Sequence, residues 1–551
     1  MTKHIWRRAA AGLLITMAFG CNFDLTEYNP SGVTADNIFS SPEGFETLVN
    51  AAYSYARWWY GKEDGYSISE MGTDLWMSGA GDVHPTLTSY QSLSPTEGAL
   101  DSFWEKLYSA VNLTNAGINR IDKAGYPDAT KKIRLGELRF LRAFYYWHIV
   151  ETWGGVHLST EETNGIQTEA NRTPVDSFYK LIFADLDYAV ANLPTTTTQY
   201  GRITKGGAEA FEARMYLTRG NWQQALTAAN NVINNYTYKL LPNYADLWKM
   251  SNVKNSEVVW AVNYSVNLAL DDRANSVLYP NGHPRGGHNG HLLFGQLYDR
   301  EPGMIRDIAN DRPFNRYMPT AFLLDLFDQT MDARFAGSFR DVWYANAADS
   351  VLLTLGMKRG DTAIYITNKT LTAEQKAGKR YRIYDRAAVY NADGTPARRG
   401  QCNDLSKFLD PTRPSVSEEE SGRDAFVIRL AEMYLIAAEA NLQLGNADAA
   451  AAAINVLRTR AALPGQVAAM QVTGAQMTLD FILDERAREL AGEQLRWFDL
   501  KRTGKLVERV AAYNPDAAPY VHDFHNLRPI PQRQLDAVSN KTTFTQNPGY
   551  Q

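Results

Sequence analysis

Apolar residues recur at spacings of three and four through long stretches of this chain, the pattern of helices that bury one face. Ser41-Pro42-Glu43 supplies an N-cap serine with proline at the first helical position, and Phe45, Leu48, Val49, Ala52, Ala56 and Trp59 follow on a single face. Further helices are expected over about Leu100 to Ile121 and Thr130 to Thr152, and over VDSFYKLIFADLDYAVANLP from Val175 up to Pro194. Gly154-Gly155 stops the third helix and Pro194 the fourth, because proline cannot continue the hydrogen-bond ladder and glycine accepts a left-handed cap. From roughly Tyr264 to Asp424 the pattern changes, with Gly, Pro, Asn, Asp and Arg frequent and the periodic runs short. Thr320 to Asp328 suggests a helix there, and Ser350 to Leu355 and Ala363 to Thr367 suggest strands. Loops this long are uncommon in compact domains unless they carry function, so this stretch is the expected functional face.

The first residues carry a different signal. Lys3, Arg7 and Arg8 precede a short apolar run from Ala9 to Gly20, the layout of an export leader. A bilayer span needs about 20 consecutive apolar residues, more than this run offers between Arg8 and Asn22. The Gly20-Cys21 junction resembles a bacterial lipobox, although Ala18 and Phe19 depart from its usual residues. Acylation of Cys21 after cleavage is therefore expected, with an ordinary secretory signal as the alternative. Cys402 is the only other cysteine, and a large exported domain builds its core without staples, so it is expected to be a free thiol. Residues 22–40, with Pro30 and Gly32, read as an extended tether. The expected division is thus a signal peptide at 1–20, a tether at 21–40 and one domain at 41–551, with the helical scaffold at about 41–263 and 424–551 and a loop-rich insertion at about 264–423.

Composition narrows the function. The net charge of −5, without a sustained Lys/Arg stripe, argues against nucleic acid, whose binding rests on phosphate neutralisation. Aromatic residues make up 12% of the chain, more than a helical core requires, and a surplus of Tyr and Trp suits a surface that grips an amphipathic ligand. Ala213, Tyr216, Gly220, Ala225 and Ala229 fall at the spacing of a tetratricopeptide helix pair, and Ala438, Gly445, Ala450 and Ile454 repeat those offsets with Asn441 in place of Tyr216. The copies are too far apart to stack as a tandem solenoid, so a tertiary fold must bring them together.

The C-terminal third reads DAFVIRLAEMYLIAAEANLQLGN from Asp424, INVLRTRAALP from Ile454, LDFILDERARELAGEQLRWFDLKRTGKL from Leu479, LRPIPQRQLDA from Leu527 and QNPGY from Gln546. This ordered set resembles the SusD/RagB family of outer-membrane nutrient-binding lipoproteins. The aromatic helix from Leu138, ADLDYAV around Asp185 and GRITKGGAEAFEARMYL from Gly201 agree with it. The resemblance implies a mostly α-helical single domain, with four tetratricopeptide-like helix pairs, a loop-rich ligand-binding half and few short strands. It also implies a lipid-anchored protein on the cell-surface face of the outer membrane. Such a protein binds oligosaccharide or another nutrient and acts as a lid on a TonB-dependent SusC-like transporter, without catalysis.

A sugar offers apolar C–H faces and a polar rim, so its site needs aromatic rings flanked by hydrogen-bonding groups. Two stretches combine these. In the loop from Trp58 to Gln91, Trp76 and Asp74 are the first candidates, with Trp58, Tyr66 and Tyr90; packing of Trp76 onto the helices is the competing reading. In Leu278 to Arg300 the candidates are His283, Arg285 and Asn289, joined later by Trp343. The spacing of His283, His288 and His291 matches no zinc signature, and Asn391 to Gly400 reads as a turn rather than a calcium loop, so neither metal nor cofactor is expected. In the ERAREL block, Asp484 and Arg488 are i,i+4 partners expected to form a weak surface pair, while Trp497, Phe498 and Leu500 are expected in the core and Arg502 as a scaffold donor. A surface glycoside hydrolase, needing two carboxyl groups about 5 to 10 Å apart, is the alternative enzyme reading, and a peptide-binding relative or a tetratricopeptide adaptor the alternative binding ones.

Overall fold

The computed structural model describes residues 34–265 and 287–550; Cys21, His283 and Arg285 lie outside them. The first long helices form at Pro42–Ser54, Gly98–Arg120, Asp128–Trp153 and Val175–Asn192, close to the expected bounds. Local chemistry sets their ends. The Ser41 hydroxyl accepts from the Gly44 amide to cap the first, and Gly154, at φ 73°, closes the third in a conformation that side chains resist. One expectation fails here: a helical turn at Ala35–Ile38, capped by Thr34 and tied down by an Asp36–Arg120 ion pair, already begins within the stretch read as an extended tether.

From Gly136 onward the 128–153 helix is buried on nearly every side, as suits a central element. Phe140, Phe144, Tyr145, Tyr146 and Trp147 are all buried along it, and Trp147 packs on Phe498 with ring centroids 4.8 Å apart. Lys205–Thr218 and Trp222–Asn235 form an antiparallel pair around Gly220, and Leu430–Gln443 with Ala447–Ala461 form another around Gly445. Buried Ala225, Ala229, Ala438 and Ala450 let the backbones approach. The 222–235 helix packs directly on the 430–443 helix, so the two distant repeats meet through tertiary contact. Two buried forked pairs hold the helices in register: Arg142 reaches Asp185 through two 2.8 Å bonds, and Arg214 reaches Glu432 at 2.8 and 2.7 Å.

Strand Val258–Val262 pairs antiparallel with Ala425–Arg429, so the chain leaves the helical half and returns to it at neighbouring positions. The intervening half has its own core, which includes Phe294, Trp343, Ile364 and buried, unpaired Cys402. Its sheets are small: Trp76–Ser78 with Tyr317–Pro319, and a three-stranded group of Val342–Tyr344, Thr362–Ile366 and Arg382–Tyr384. The strand expected at 363–367 therefore exists, and the helix expected at 320–328 is realised as Ala321–Asp325. Ser350 to Leu355 is not a strand but part of the helix Asp349–Thr354, where Leu352 is buried and Leu353 is 79% exposed. A short apolar run does not distinguish the two by periodicity.

The ERAREL helix, Leu479–Leu490, departs furthest from expectation. Glu485 and Glu489 are wholly buried. Arg334 reaches Glu485 at 2.8 Å and Glu489 at 3.2 Å, Arg429 reaches Glu489 and Glu493 at 2.7 Å each, and Arg460 closes on Glu489 as well. Asp484 pairs with Arg509 instead of Arg488, which turns to Glu485 at 2.8 Å. The expected weak surface pair is replaced by a desolvated network, because the helix lies between two halves that each present guanidinium groups to it. Trp497, Phe498 and Leu500 are core residues, and Arg502 donates to Glu439 and Asp499, as expected.

Removing one partner from such a network strands the others in low dielectric. Glu489→Ala should cost about 3–5 kcal/mol of stability in urea unfolding, against well under 1 kcal/mol for a surface pair. Burial pushes the Glu485 carboxyl up, but Arg334, Arg488 and Arg458 outweigh it and hold it at about 2, from 4.5. A depressed carboxyl stabilises the fold above its unfolded value. Its contribution should be complete above about pH 4.5 and be lost as the pH falls toward 2, which unfolding midpoints across that range will show.

Candidate ligand-binding cleft

Among the described residues, two clefts are large enough for an oligosaccharide segment. One, of about 740 Å³, lies between the 98–120 helix, the 157–170 segment and Arg533-Gln534. The other, of about 800 Å³, lies where the end of the 42–54 helix meets the 199–202 turn and the end of strand 258–262. It presents Tyr53, Tyr200 and Trp260 together with Asn50, Arg57, Arg202 and Asn263, the mixture of rings and polar groups that a sugar requires.

The second cleft is built from elements that hold one another. Trp260 Nε1 donates to the Gly201 carbonyl at 3.0 Å, and Asn263 Nδ2 donates to the Tyr200 carbonyl at 2.8 Å, so the turn is fixed to the strand end. Gly201 is required at this crossing: its φ is 92°, and a Cβ would collide with the Asn263 amide. Tyr53 closes the opposite wall, its hydroxyl accepting from the Ile203 amide at 3.1 Å. Burial drives that phenol well above its ordinary range, so it stays neutral.

Charge on the wall is largely paired. Arg202 donates to Glu137 at 2.9 Å, Glu46 at 2.8 Å and Asn50 at 2.9 Å, and Arg134 donates to Glu46 at 2.6 Å. Burial raises the Glu46 carboxyl, yet its bonds from Arg134 and Tyr126 and the nearby Arg202 hold it below the ordinary range. Glu46 is thus a committed acceptor. Among the described residues, two polar features of the wall find little or no partner: Asn263 Oδ1 accepts no hydrogen bond, and Arg57 spends only Nε, on the Asn263 carbonyl at 2.8 Å.

Most residues expected to grip the ligand are placed elsewhere. Trp76 is wholly buried, donating to Glu70 at 3.1 Å and packing on Phe294 with centroids 4.7 Å apart. Asp74 is also buried, gripped by Arg496 at 2.6 Å and Arg509 at 2.7 Å. Burial alone would raise its carboxyl, but the two guanidinium groups keep it low, and its role is to anchor the loop. Tyr66, with His288, lines a void of only about 20 Å³, roughly one water. Buried Tyr90 donates to the Gly72 carbonyl at 2.8 Å, and Asn289 is buried, its backbone N–H donating to the Gly61 carbonyl at 2.9 Å. Trp343 points into the core while its strand neighbour Tyr344 is 57% exposed, as alternation along a strand dictates. None of these six side chains faces either cleft. Trp58 is half-buried, with the Lys106 ammonium 4.4 Å from its ring centre. His288 and His291 are buried, and burial drives both far from protonation.

The scaffold is helical and carries an aromatic and polar cleft, and comparison with known proteins identifies its family. The SusD family model matches residues 256–550, and a second model, described as starch-binding associating with outer membrane, matches 46–217. The chain belongs to the SusD family. SusD-like protein P25 of Formosa agariphila is 24% identical over 548 residues, covering 95% of each chain. The starch-binding protein SusD of Bacteroides thetaiotaomicron is 25% identical over 514 residues, 88% of this chain and 85% of that one. A solved laminarin-binding SusD-like protein shares the fold with a TM-score of 0.69 at 24% identity, over 92% of this chain and 99% of that one. Among the described residues, no helix is long and apolar enough to cross a membrane.

With Trp76 in the core, Trp76→Ala should lower unfolding stability by about 3–5 kcal/mol, the range for emptying a large aromatic site. Denaturant titration followed by far-UV circular dichroism measures it.

Proposed function

We propose that this chain is a cell-surface lipoprotein that binds an oligosaccharide in the cleft between the 42–57 segment, the 199–202 turn and strand 258–262. It then delivers that ligand, as a lid, to a TonB-dependent SusC-like transporter in the outer membrane. The observation that carries the reading is the cleft itself: about 800 Å³, lined by Tyr53, Tyr200 and Trp260 and rimmed by Arg57, Arg202, Asn50 and Asn263. A sugar ring seated on half-exposed Tyr200 removes apolar area from water on one face while its hydroxyls meet amide and guanidinium groups. The starch-binding relative lends the ligand class, and the outer-membrane description of the N-terminal match lends the location. Binding proceeds without hydrolysis. Among the described lining residues Glu46 is the carboxylate, already engaged by two arginines, and a glycosidase needs a pair. Cys21 supplies the lipid anchor, and the residues after it supply the reach that a hinged lid requires.

Two measurements test this. Tyr200→Ala should weaken binding of the best oligosaccharide in a glycan panel about tenfold by isothermal titration, with the circular dichroism spectrum unchanged; equal affinity would remove the cleft from the reading. Cys21→Ser should shift the protein from the outer-membrane fraction to the soluble fraction and abolish palmitate labelling, since acyl chains supply the membrane affinity.

A further inference from the structure

Among the described residues of the cleft wall, Arg57 is the cation whose hydrogen-bonding capacity is largely unspent. Its Nε donates to the Asn263 carbonyl at 2.8 Å, and its guanidinium carbon lies 5.5 Å from the centre of the Tyr264 ring. Its two terminal amino groups, with four N–H donors, meet no acceptor among the described residues. Arg134 and Arg202 differ, being answered by Glu46 and Glu137. A second cation stands nearby: the exposed Lys254 ammonium lies 4.9 Å from the centre of the Tyr200 ring. Among the described residues, Asp424 accepts from the Tyr264 amide at 2.8 Å and forms no salt bridge with either cation; both lie near enough to pull on its carboxyl, yet burial outweighs them and raises it. The cleft therefore offers a half-buried guanidinium fork from Arg57, with a further positive charge beside the ring of Tyr200.

We infer that the ligand of this cleft carries an anionic substituent, a uronate carboxylate or an ester sulfate, and that the Arg57 terminal amino groups receive it. This rests on the cleft being the glycan site. A planar guanidinium matches two acceptor oxygens at once, and such charge-assisted pairs are about twice as strong as neutral ones. A neutral sugar hydroxyl would use one donor and leave the charge unanswered. Half-exposed Tyr200 would then supply affinity for any pyranose, while Arg57, aided by Lys254, would select the acidic one. The other wall arginines cannot take this role without breaking their bonds to Glu46 and Glu137.

The test is titration of the purified full-length domain with three probes, an oligogalacturonide, a sulfated galacto-oligosaccharide and neutral laminarihexaose, at low and high salt. At least one acidic probe is expected to bind more tightly than laminarihexaose, with affinity that falls as salt rises; which one binds distinguishes uronate from sulfate recognition. Arg57→Gln should weaken that probe about tenfold and laminarihexaose, which would lose one neutral hydrogen bond, by about twofold, whereas Arg57→Lys, which keeps the charge but loses the fork, should recover part of the loss on the acidic probe. Tyr200→Ala should weaken every probe that binds. If laminarihexaose binds as well as both acidic probes, or Arg57→Gln leaves the acidic affinity intact while Tyr200→Ala weakens binding, the anionic selectivity is overturned and the cleft stands. If Tyr200→Ala alters no affinity, or none of the three probes binds, the selectivity and the cleft assignment fall together.

Discussion

The structure turns on one buried carboxylate. Glu489, on the 479–490 helix, accepts from Arg429 on a strand of the helical half, from Arg460 on the 447–461 helix and from Arg334 in the loop-rich half. No single element supplies these charges, so the group is satisfied only when all of them are assembled. Desolvating several ions costs several kcal/mol for each, and the mutual attraction offsets this only in the assembled geometry. The network therefore selects one arrangement of the two halves over all near alternatives. It also reaches the cleft. Arg429 ends the strand that pairs with Val258–Val262, and that second strand carries Trp260 into the cleft wall and leads directly to Asn263.

Much of the scaffold was legible in the sequence. Helices at 42–54, 98–120, 128–153 and 175–192 were announced by spacing, proline and glycine, because each buries one stripe or a whole surface against neighbours. The reading broke where the same local pattern has two tertiary meanings. Asp484 and Arg488 at helical spacing look like a solvated pair, yet nothing in a heptad of charged residues tells whether arginines from elsewhere will cover it. Trp76 beside Asp74 looked like a ring with a polar neighbour on a glycine-rich loop. The partners that bury them, Glu70, Phe294, Arg496 and Arg509, are remote in sequence apart from Glu70.

The cleft was less legible for a related reason. Its wall is drawn from 46–57, Arg134, 199–202 and 260–263, so no single window shows the combination. Gly201 and Arg202 did stand inside a family motif, GRITKGG, but their part in a binding surface depends on the strand end that crosses them. Tyr344 shows the converse. An alternation argument applied to Val342–Tyr344 would have separated the inward Trp343 from its outward neighbour, and aromatic identity alone did not.

The pairing of Val258–Val262 with Ala425–Arg429 has a consequence for how the molecule is made. The first six long helices emerge from synthesis well before the 430–443 helix against which the 222–235 helix packs, and before the carboxylates that Arg334 and Arg429 require. The early helices therefore wait with an open flank and an unmatched forked arginine, Arg214, until the C-terminal third arrives. Long-range closure of this kind is slow and exposes apolar surface meanwhile.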